Sequence, residues 1–511
     1  MPWEVIRHIT SYLTTTELGN LRRVCQHLEK TLFSSFATEF FTKRQFMRTE
    51  FSLQTLLEIS LSRLAPYLTY LIISTSRPLP IALYNRLPSG PSNPHELRRY
   101  NKVYEESVNH NTLINSGHDL ELLAQALQNL PNLDTVGLRD FDGSGRYRDG
   151  ETGRWRSYGA ETYSKETGIN ISQVFPRLDA EPQSDPVSQI FLIILRALGT
   201  TRDLHQQPRL EVILRKSHVP EQAFNVPRFL EPVISPVIEN LRTLFLDLGH
   251  ESLQPLFIND SKRFMGYPLA KLLSKASSLE HLRLNFRACT PRCEEANDIL
   301  LWLARVPTDD NPGPFAADID MADAGCETEL PTLPQASKFP NLKQLDIGML
   351  TIQLPLLVSL VTKYGESLRE LSLHKVKLIN KPQYQYIAKS SLWAIFLARI
   401  ANLNAKLSSL NLSDLSQDLK PSHGYHKNNV FFARRTGQSE TPSGMTTTAT
   451  ATRTSRKNWT GNDFKRASKD LINSLIVDWP EEPLDDDSES PYSEDEMESD
   501  EGSEDFDSDE D

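Results

Sequence analysis

Two short motifs in this 511-residue chain have residue types and spacings that could carry chemistry. Cys289-Thr-Pro-Arg-Cys293 sets two thiols close together, and paired thiolates are the usual soft ligands of zinc. Its spacer is one residue longer than that of a zinc knuckle, and no second pair lies nearby. Gly143-Ser-Gly-Arg-Tyr-Arg-Asp-Gly150 resembles a glycine-rich phosphate loop, in which backbone N–H groups cradle an anion. The third glycine falls too late for G-x-G-x-x-G, and no Gly-Lys-Ser/Thr follows, so the stretch reads as a Gly-, Arg- and Tyr-rich surface insertion. G-x-S-x-G, H-E-x-x-H and a recognisable carboxylate pair are all missing. The sequence points away from an enzyme and from any metal, cofactor or catalytic residue. What remains is binding.

Candidate binding residues come from a recurring frame, Leu-x-x-Leu-x-Leu with Ile or Val allowed. It occurs at Leu68/Leu71/Ile73, Leu133/Val136/Leu138, Leu241/Leu244/Leu246, Leu279/Leu282/Leu284, Leu342/Leu345/Ile347, Leu368/Leu371/Leu373 and Leu407/Leu410/Leu412. Most copies follow an apolar helical stretch and a polar pair, as Leu120–Leu130 precedes Pro131-Asn132. A short strand plus a helix, stacked side by side, is the leucine-rich-repeat arrangement. The steps between first leucines are 65, 108, 38, 63, 26 and 39 residues. Regular repeats run ~20–29 residues, so the array is irregular and its long steps hold degenerate units or insertions. Side chains alternate across a strand, which sends the leucines to a core and the residues between them to a concave face. That face would carry Arg139, Phe245, Asp247, His281, Arg283, Asn285, Asp346, Glu370, His374 and Asn411. One aromatic among charges of both signs suits a protein or peptide target better than nucleic acid, which favours clustered cations.

The opening residues form a different pattern. Val5, Ile6, Ile9, Tyr12 and Leu13 fall on one face of a helix, Thr14-Thr15-Thr16 offers hydroxyl caps for a second, and Leu18, Leu21, Cys25, Leu28 and Leu32 continue at three- and four-residue spacing. Short amphipathic helices of this size cannot bury both faces alone, so the segment reads as a docking module. It resembles an F-box through Pro2, Glu4, Val5, Ile6, Ile9, Leu13, Leu18, Leu21, Arg22, Val24 and Cys25. Met1 stands where that family places its first leucine. Together with the repeats, the chain is similar to F-box proteins with degenerate leucine-rich repeats, of the type common in filamentous fungi. The resemblance implies a Skp-type adaptor as partner, joined through it to a cullin scaffold. Pro2, Ile6, Ile9, Leu13, Leu18, Leu21, Val24 and Cys25 would form either the adaptor face or the small core behind it. Cys25 in particular reads as a small buried apolar residue. The implied role is that of substrate-recognition subunit of a Skp–cullin–F-box ubiquitin ligase, non-catalytic itself. The alternative is a repeat scaffold that binds partners without ubiquitin transfer.

Composition fits a multi-part intracellular protein, 39% hydrophobic and 24% charged. Four cysteines (Cys25, Cys289, Cys293, Cys326) argue for a reducing compartment, cytoplasm or nucleus, and the most apolar run, Ile190 to Leu195, is far short of the ~20 residues that span a bilayer. Neither a membrane nor a nucleic acid is an expected partner. Residues 481–511 hold 18 Asp or Glu and no Lys or Arg, whereas 427–469 hold nine Lys or Arg against two acids. The expected organisation is α/β: an all-α helical module over 1–45, then an irregular leucine-rich-repeat solenoid over 46–425 with loop insertions near 140–185 and 306–338. A basic low-complexity linker over 426–470, an apolar island over 471–480 and an acidic disordered tail over 481–511 complete it.

Overall fold

The computed structural model describes residues 3–80, 93–144, 147–150, 154–171, 185–201, 208–249, 266–286, 295–305, 334–335, 338–379, 390–403, 405–419, 428–434 and 452–479. Met1–Asp478 form one compact unit, and Trp479–Asp511 are a second. Three helices open the chain: α1 (Trp3–Thr10), α2 (Thr15–Val24) and α3 (Gln26–Phe41). Thr14 caps α2 in a reciprocal box with Glu17, the hydroxyl-before-helix signal of the sequence. The extended backbone of Cys25 separates α2 from α3.

Beyond them lies a mixed α/β body built on a 14-stranded, mostly parallel sheet. Its parallel run is β1 (Lys43–Met47), β2 (Tyr70–Ser74), β3 (Thr135–Arg139), β6 (Arg209–Ile213), β7 (Thr243–Leu248), β8 (His281–Phe286), β9 (Gln344–Gln353) and β10 (Glu370–Ile379), side by side in chain order. The short pair β4 (Gly143–Ser144) and β5 (Arg154–Trp155) forms its own ribbon within an insertion. Parallel neighbours need crossovers of a dozen or more residues, and helices supply them. They are α4 (Glu50–Ser60), α5 (Pro94–Ser116), α6 (His118–Gln128), α7 (Ala160–Thr167, in the insertion), α8 (Pro186–Thr200), α9 (Glu231–Asn240), α10 (Tyr267–Ser274), α11 (Glu295–Ala304), α12 (Leu354–Tyr364) and α13 (Leu392–Asn402).

The register is set by the leucines. Leu71, Val136, Leu210, Leu244, Leu282, Leu345 and Leu371 stand opposite one another across seven strands, and none is more than 1% exposed. Each such side chain contributes about 1.5–3 kcal/mol by leaving water. They belong to one continuous core with the apolar faces of the crossover helices, including Phe191, Leu272, Trp302, Leu357 and Trp393. A one-residue slip would send this row to the opposite face, so the register is strongly specified.

Two strands of the parallel run lie outside the recurring frame. Strand β6 begins after Pro208 and keeps only Leu210 and Val212 of the pattern, and β1 carries Arg44 in the inward row opposite Leu71. The 108-residue step thus hides a true strand, while the 65-residue step holds the long helix α5 as an insertion. The 140–185 stretch is more than a loop: it contains the β4–β5 ribbon and α7, and Tyr163 of α7 packs with Met47 and Ile171 in a small core of its own. Of the 306–338 insertion, only 334–335 and 338 are described.

The C-terminal region departs from the expected linker. Within 426–470 the chain forms β13 (Asn428–Arg434), β14 (Thr452–Thr454), β15 (Arg456–Thr460) and most of α14 (Phe464–Ser474). Strands β11 (Ser409–Ser413) and β12 (Ser416–Asp418) both continue the sheet from β10, and β15 and β13 pair antiparallel to them. Val430, Phe432 and Phe464 enter the core, and burying them outweighs the mutual repulsion of solvated basic residues. Leu471 joins that core from α14, and β16 (Leu475–Val477) pairs with β13. The 435–451 part of the basic stretch and the acidic 481–511 segment lie outside the described residues.

Candidate functional site

Two surfaces gather the residues singled out by sequence. The first is the N-terminal helical module. Ile6 and Leu18 are 7% and 4% exposed and form a small core with Leu32 and Phe40, against which Leu13 and Leu21 pack. On the other side, Val5 and Ile9 are 44% and 46% exposed, Tyr12 is 76% and Val24 is 71% exposed. Val5 and Ile9 stand one turn apart on α1, and Tyr12 follows in the turn after it, so α1 is apolar on two sides and only one is used internally. Pro2 lies outside the described residues. Cys25 is an exposed free thiol, not the buried apolar residue expected of it, because the helix break at this position turns it outward.

The module is tied to the sheet body by the 140–185 insertion. Arg148 donates from Nη1 to the carbonyls of Thr10 (2.9 Å) and Leu13 (2.6 Å), and from Nη2 to Glu39 (2.6 Å). A cation therefore sits at the C-terminal end of α1, where the helix dipole is negative. The neighbouring Asp149 accepts from Thr15 N–H (2.9 Å) and Thr15 Oγ1 (2.6 Å) at the start of α2. Further along, the insertion runs beside edge strand β1: Tyr158 exchanges backbone bonds with Gln45 (2.7 Å) and Met47 (3.3 Å), and Gln45 Nε2 donates to Ser157 Oγ at 2.8 Å. An unpaired parallel edge is thereby covered. The glycine-rich stretch that looked like a phosphate loop is thus a fastening between two parts of the chain.

The second surface is the open face of the sheet. Register fixes three rows across its middle: Thr243, His281, Gln344, Glu370 and Ser409; Phe245, Arg283, Asp346, Ser372 and Asn411; Asp247, Asn285, Gly348, His374 and Ser413. All the expected concave-face residues from β7 to β11 occur in these rows. Asn285 is buried, and the others are half-buried. His281 Nε2 lies 2.9 Å from Asp346, and its ring meets Phe245 edge-on at 4.6 Å. Arg283 lies over the same Phe245 ring, 5.6 Å from its centroid. Asn285 donates to Asp247 (2.9 Å), which also accepts from Leu214 N–H (2.8 Å). Burial pushes the Asp247 carboxyl up from its ordinary value, and these two donors act against that shift.

Arg139 is set apart from the other candidates. It donates to Tyr70 Oη at 2.8 Å and lies over the Phe141 ring at 5.4 Å, at the end of the face nearest the insertion. There Gln45 and Ile72 are buried at 2% and 0% exposure, so the open face begins effectively at β6. The Tyr70 hydroxyl also bonds the Glu211 carboxylate. Burial, then Glu211, holds that phenol well above its usual titration range. Gly137 makes this possible, since a Cβ there would stand 3.0 Å from the Tyr70 ring. Tyr70, Glu211, Gln344 and the Arg148–Asp149 pair were not singled out by sequence. The strand pattern marks positions on a face but not which side chains cross between rows.

Among the described residues no group of three or more His, Cys, Asp or Glu is arranged to hold a metal ion, and no helix is long and apolar enough to cross a membrane. Cys289 and Cys293 lie outside the described residues. Neither a protein-family model nor a curated protein matches this sequence.

Proposed function

We propose that this chain is the substrate-recognition subunit of a Skp–cullin–F-box ubiquitin ligase. In this reading α1–α3 are an F-box-like module, the parallel βα units are an irregular leucine-rich-repeat solenoid, and the open sheet face receives a protein target. The observation that carries the reading is the unused apolar side of α1, Val5 and Ile9, together with Tyr12 in the turn after it and Val24. Those side chains suit a partner that lays helices against them, with aromatic and aliphatic anchors at the centre. Sequential parallel strands with helical crossovers are also what stacked repeats build.

Catalysis would come from proximity. The receptor would raise the effective concentration of target lysines near a ubiquitin-charged enzyme, without supplying a reacting group. The insertion's bonds to Thr10, Leu13, Thr15 and Glu39 would then hold the adaptor end in a fixed attitude to the target face.

The test is co-expression of the full chain with a Skp-type adaptor, cullin and RING subunit, followed by size-exclusion chromatography. Co-elution of all four supports the reading. A chain that elutes alone, while a known F-box protein assembles under the same conditions, refutes it and leaves the scaffold role.

A further inference from the structure

The helix inserted in the 65-residue step is longer than a crossover needs. Helix α5 has 23 residues, against 15 in α8, and it is sharply bounded. Asn93 caps its start by accepting from Glu96 N–H, Pro94 follows in the first turn, and Gly117 ends it in the left-handed conformation (φ 74°).

Its two sides are built differently. The inner side buries Val103, Ser107, His110 and Leu113. The outer side carries Leu97, Asn101, Tyr104, Val108, Asn111 and Asn115, at steps of four and three residues that alternate without a break. A period of 3.5 is that of a coiled-coil seam, whose side chains face a neighbouring helix. Leu97 and Tyr104 are 47% and 49% exposed, the three asparagines are exposed, and Val108 is half-buried.

Charge stays off this seam although the helix has plenty. Glu96, Arg98, Arg99, Lys102, Glu105 and Glu106 all stand beside it. Lys102 gathers Glu105 (3.3 Å), Glu106 (3.0 Å) and Glu166 of α7 (3.9 Å) on one flank. The outward side of a surface helix ordinarily carries the charged residues. An outward stripe of aliphatic, aromatic and amide side chains suits contact with another helix.

The composition of the seam selects that helix. An asparagine amide both donates and accepts, so a second asparagine complements it. A second copy of α5 laid parallel sets Leu97, Tyr104 and Val108 each against its own kind, and each asparagine against the same asparagine. An antiparallel copy would set Leu97 against Asn115 and bring two Glu105 carboxylates together, and like charges at such a distance repel.

We propose that α5 is a self-association surface, which pairs in parallel with α5 of a second copy as a two-stranded coiled coil along the Leu97–Asn115 seam. Asn101, Val108 and Asn115 then take the a positions, and Leu97, Tyr104 and Asn111 the d positions. Asparagine at a lowers stability but fixes register. A pair of helices about 34 Å long buries less than the ~1,200 Å² of a standard interface, so the association is weak and depends on concentration. None of these residues belongs to α1 or to the open face, so the inference stands apart from the ligase reading.

The experiment is sedimentation velocity of the full chain, without adaptor, from about 1 to about 200 µM, the range in which a small interface is populated. The wild type should pass from monomer to dimer with a dissociation constant on the order of 10–100 µM. Tyr104→Glu, which sets two like charges across the seam, should weaken the dimer at least roughly ten-fold. Asn101→Val, which puts a β-branched side chain at an a position, should tighten it roughly ten-fold. Both residues are exposed, so the melting temperature of the dilute monomer should stay within about 2 °C. Asn111→Cys should form a disulfide-linked dimer on mild oxidation, beyond any seen in the wild type, because parallel pairing sets this residue against itself. A wild type that stays monomeric to about 200 µM overturns the proposal, as does a dimer that neither Tyr104→Glu nor Asn101→Val alters. Absence of the Asn111→Cys cross-link overturns the parallel pairing. Failure of adaptor binding leaves this measurement unaffected, and a monomeric result here leaves the adaptor reading standing.

Discussion

Replacing Arg148 with alanine should free the N-terminal helices from the sheet body. The Arg148 side chain is 11% exposed and makes four charge-assisted hydrogen bonds, one each to Thr10 O and Leu13 O and two to Glu39. Bonds to a charged group are worth about 1.5–3 kcal/mol each, but the freed groups lie near solvent: Glu39 is 33% exposed and water can reach it. A net loss of about 2–4 kcal/mol follows, felt by the module and not by the distant strands. Asp149, whose bonds to Thr15 are exposed, contributes about 0.5–1.5 kcal/mol, so Arg148 dominates. Hydrogen exchange resolved by peptide is the assay. At about 1.4 kcal/mol per factor of ten, exchange in α1 and α2 should accelerate roughly thirty- to several-hundred-fold, while β7–β10 stay unchanged. Arg148→Lys, which keeps the charge but loses the fork, should fall between. If α1 and α2 exchange within two-fold of wild type in Arg148→Ala, the insertion does not fasten the module and the reasoning fails.

Three other outcomes check the fold from different directions. Gly199→Ala should cost more than about 3 kcal/mol by chemical denaturation, because a Cβ there would stand 2.1 Å from the Val233 carbonyl where α8 crosses α9. Lys375→Gly should raise stability by about 0.5–1 kcal/mol, the relieved left-handed strain exceeding the added unfolded-state entropy; unchanged or lower stability contradicts it. His110 is buried, and burial, then the Arg48 and Arg77 cations, pushes its pKa down to about 3. The unfolded chain therefore binds this proton below pH ~6.5 while the native chain does not, so stability falls as the pH drops from ~6.5 toward 3. His110→Gln should remove about 2 kcal/mol of the stability lost between pH 7 and 5, and an unaltered pH slope in urea melts would refute it.

The sequence made the repeating parts of this structure legible and the singular parts illegible. The leucine frame locates β2, β3 and β7–β11 because each inward row repeats the same burial. Strand β1 escapes because Arg44 occupies an inward place at the sheet edge, and β6 because its frame lacks the first leucine. The amphipathic pattern of α1 shows two apolar sides, yet only tertiary packing separates Ile6, which is core, from Ile9, which is surface. Arg148 pairs with groups more than a hundred residues away, and no local spacing signals that. Counting charge over 427–469 hid the apolar Val430, Phe432 and Phe464, whose burial organises that region. On the open face, the candidate positions were readable from alternation, whereas the bonds that hold Asp247 and Asp346 across strands needed the register.

The central claim is that the exposed side of α1 docks a Skp-type adaptor, and isothermal titration of the purified adaptor into full-length wild type and Ile9→Asp tests it most directly. Ile9 is 46% exposed and belongs to no internal core, so a charge there should leave the melting temperature unchanged. The account predicts saturable one-to-one binding by wild type and a loss of at least about 100-fold in Ile9→Asp, the size expected of a central interface anchor. No heat of binding in wild type, or equal affinity in both proteins, would contradict it.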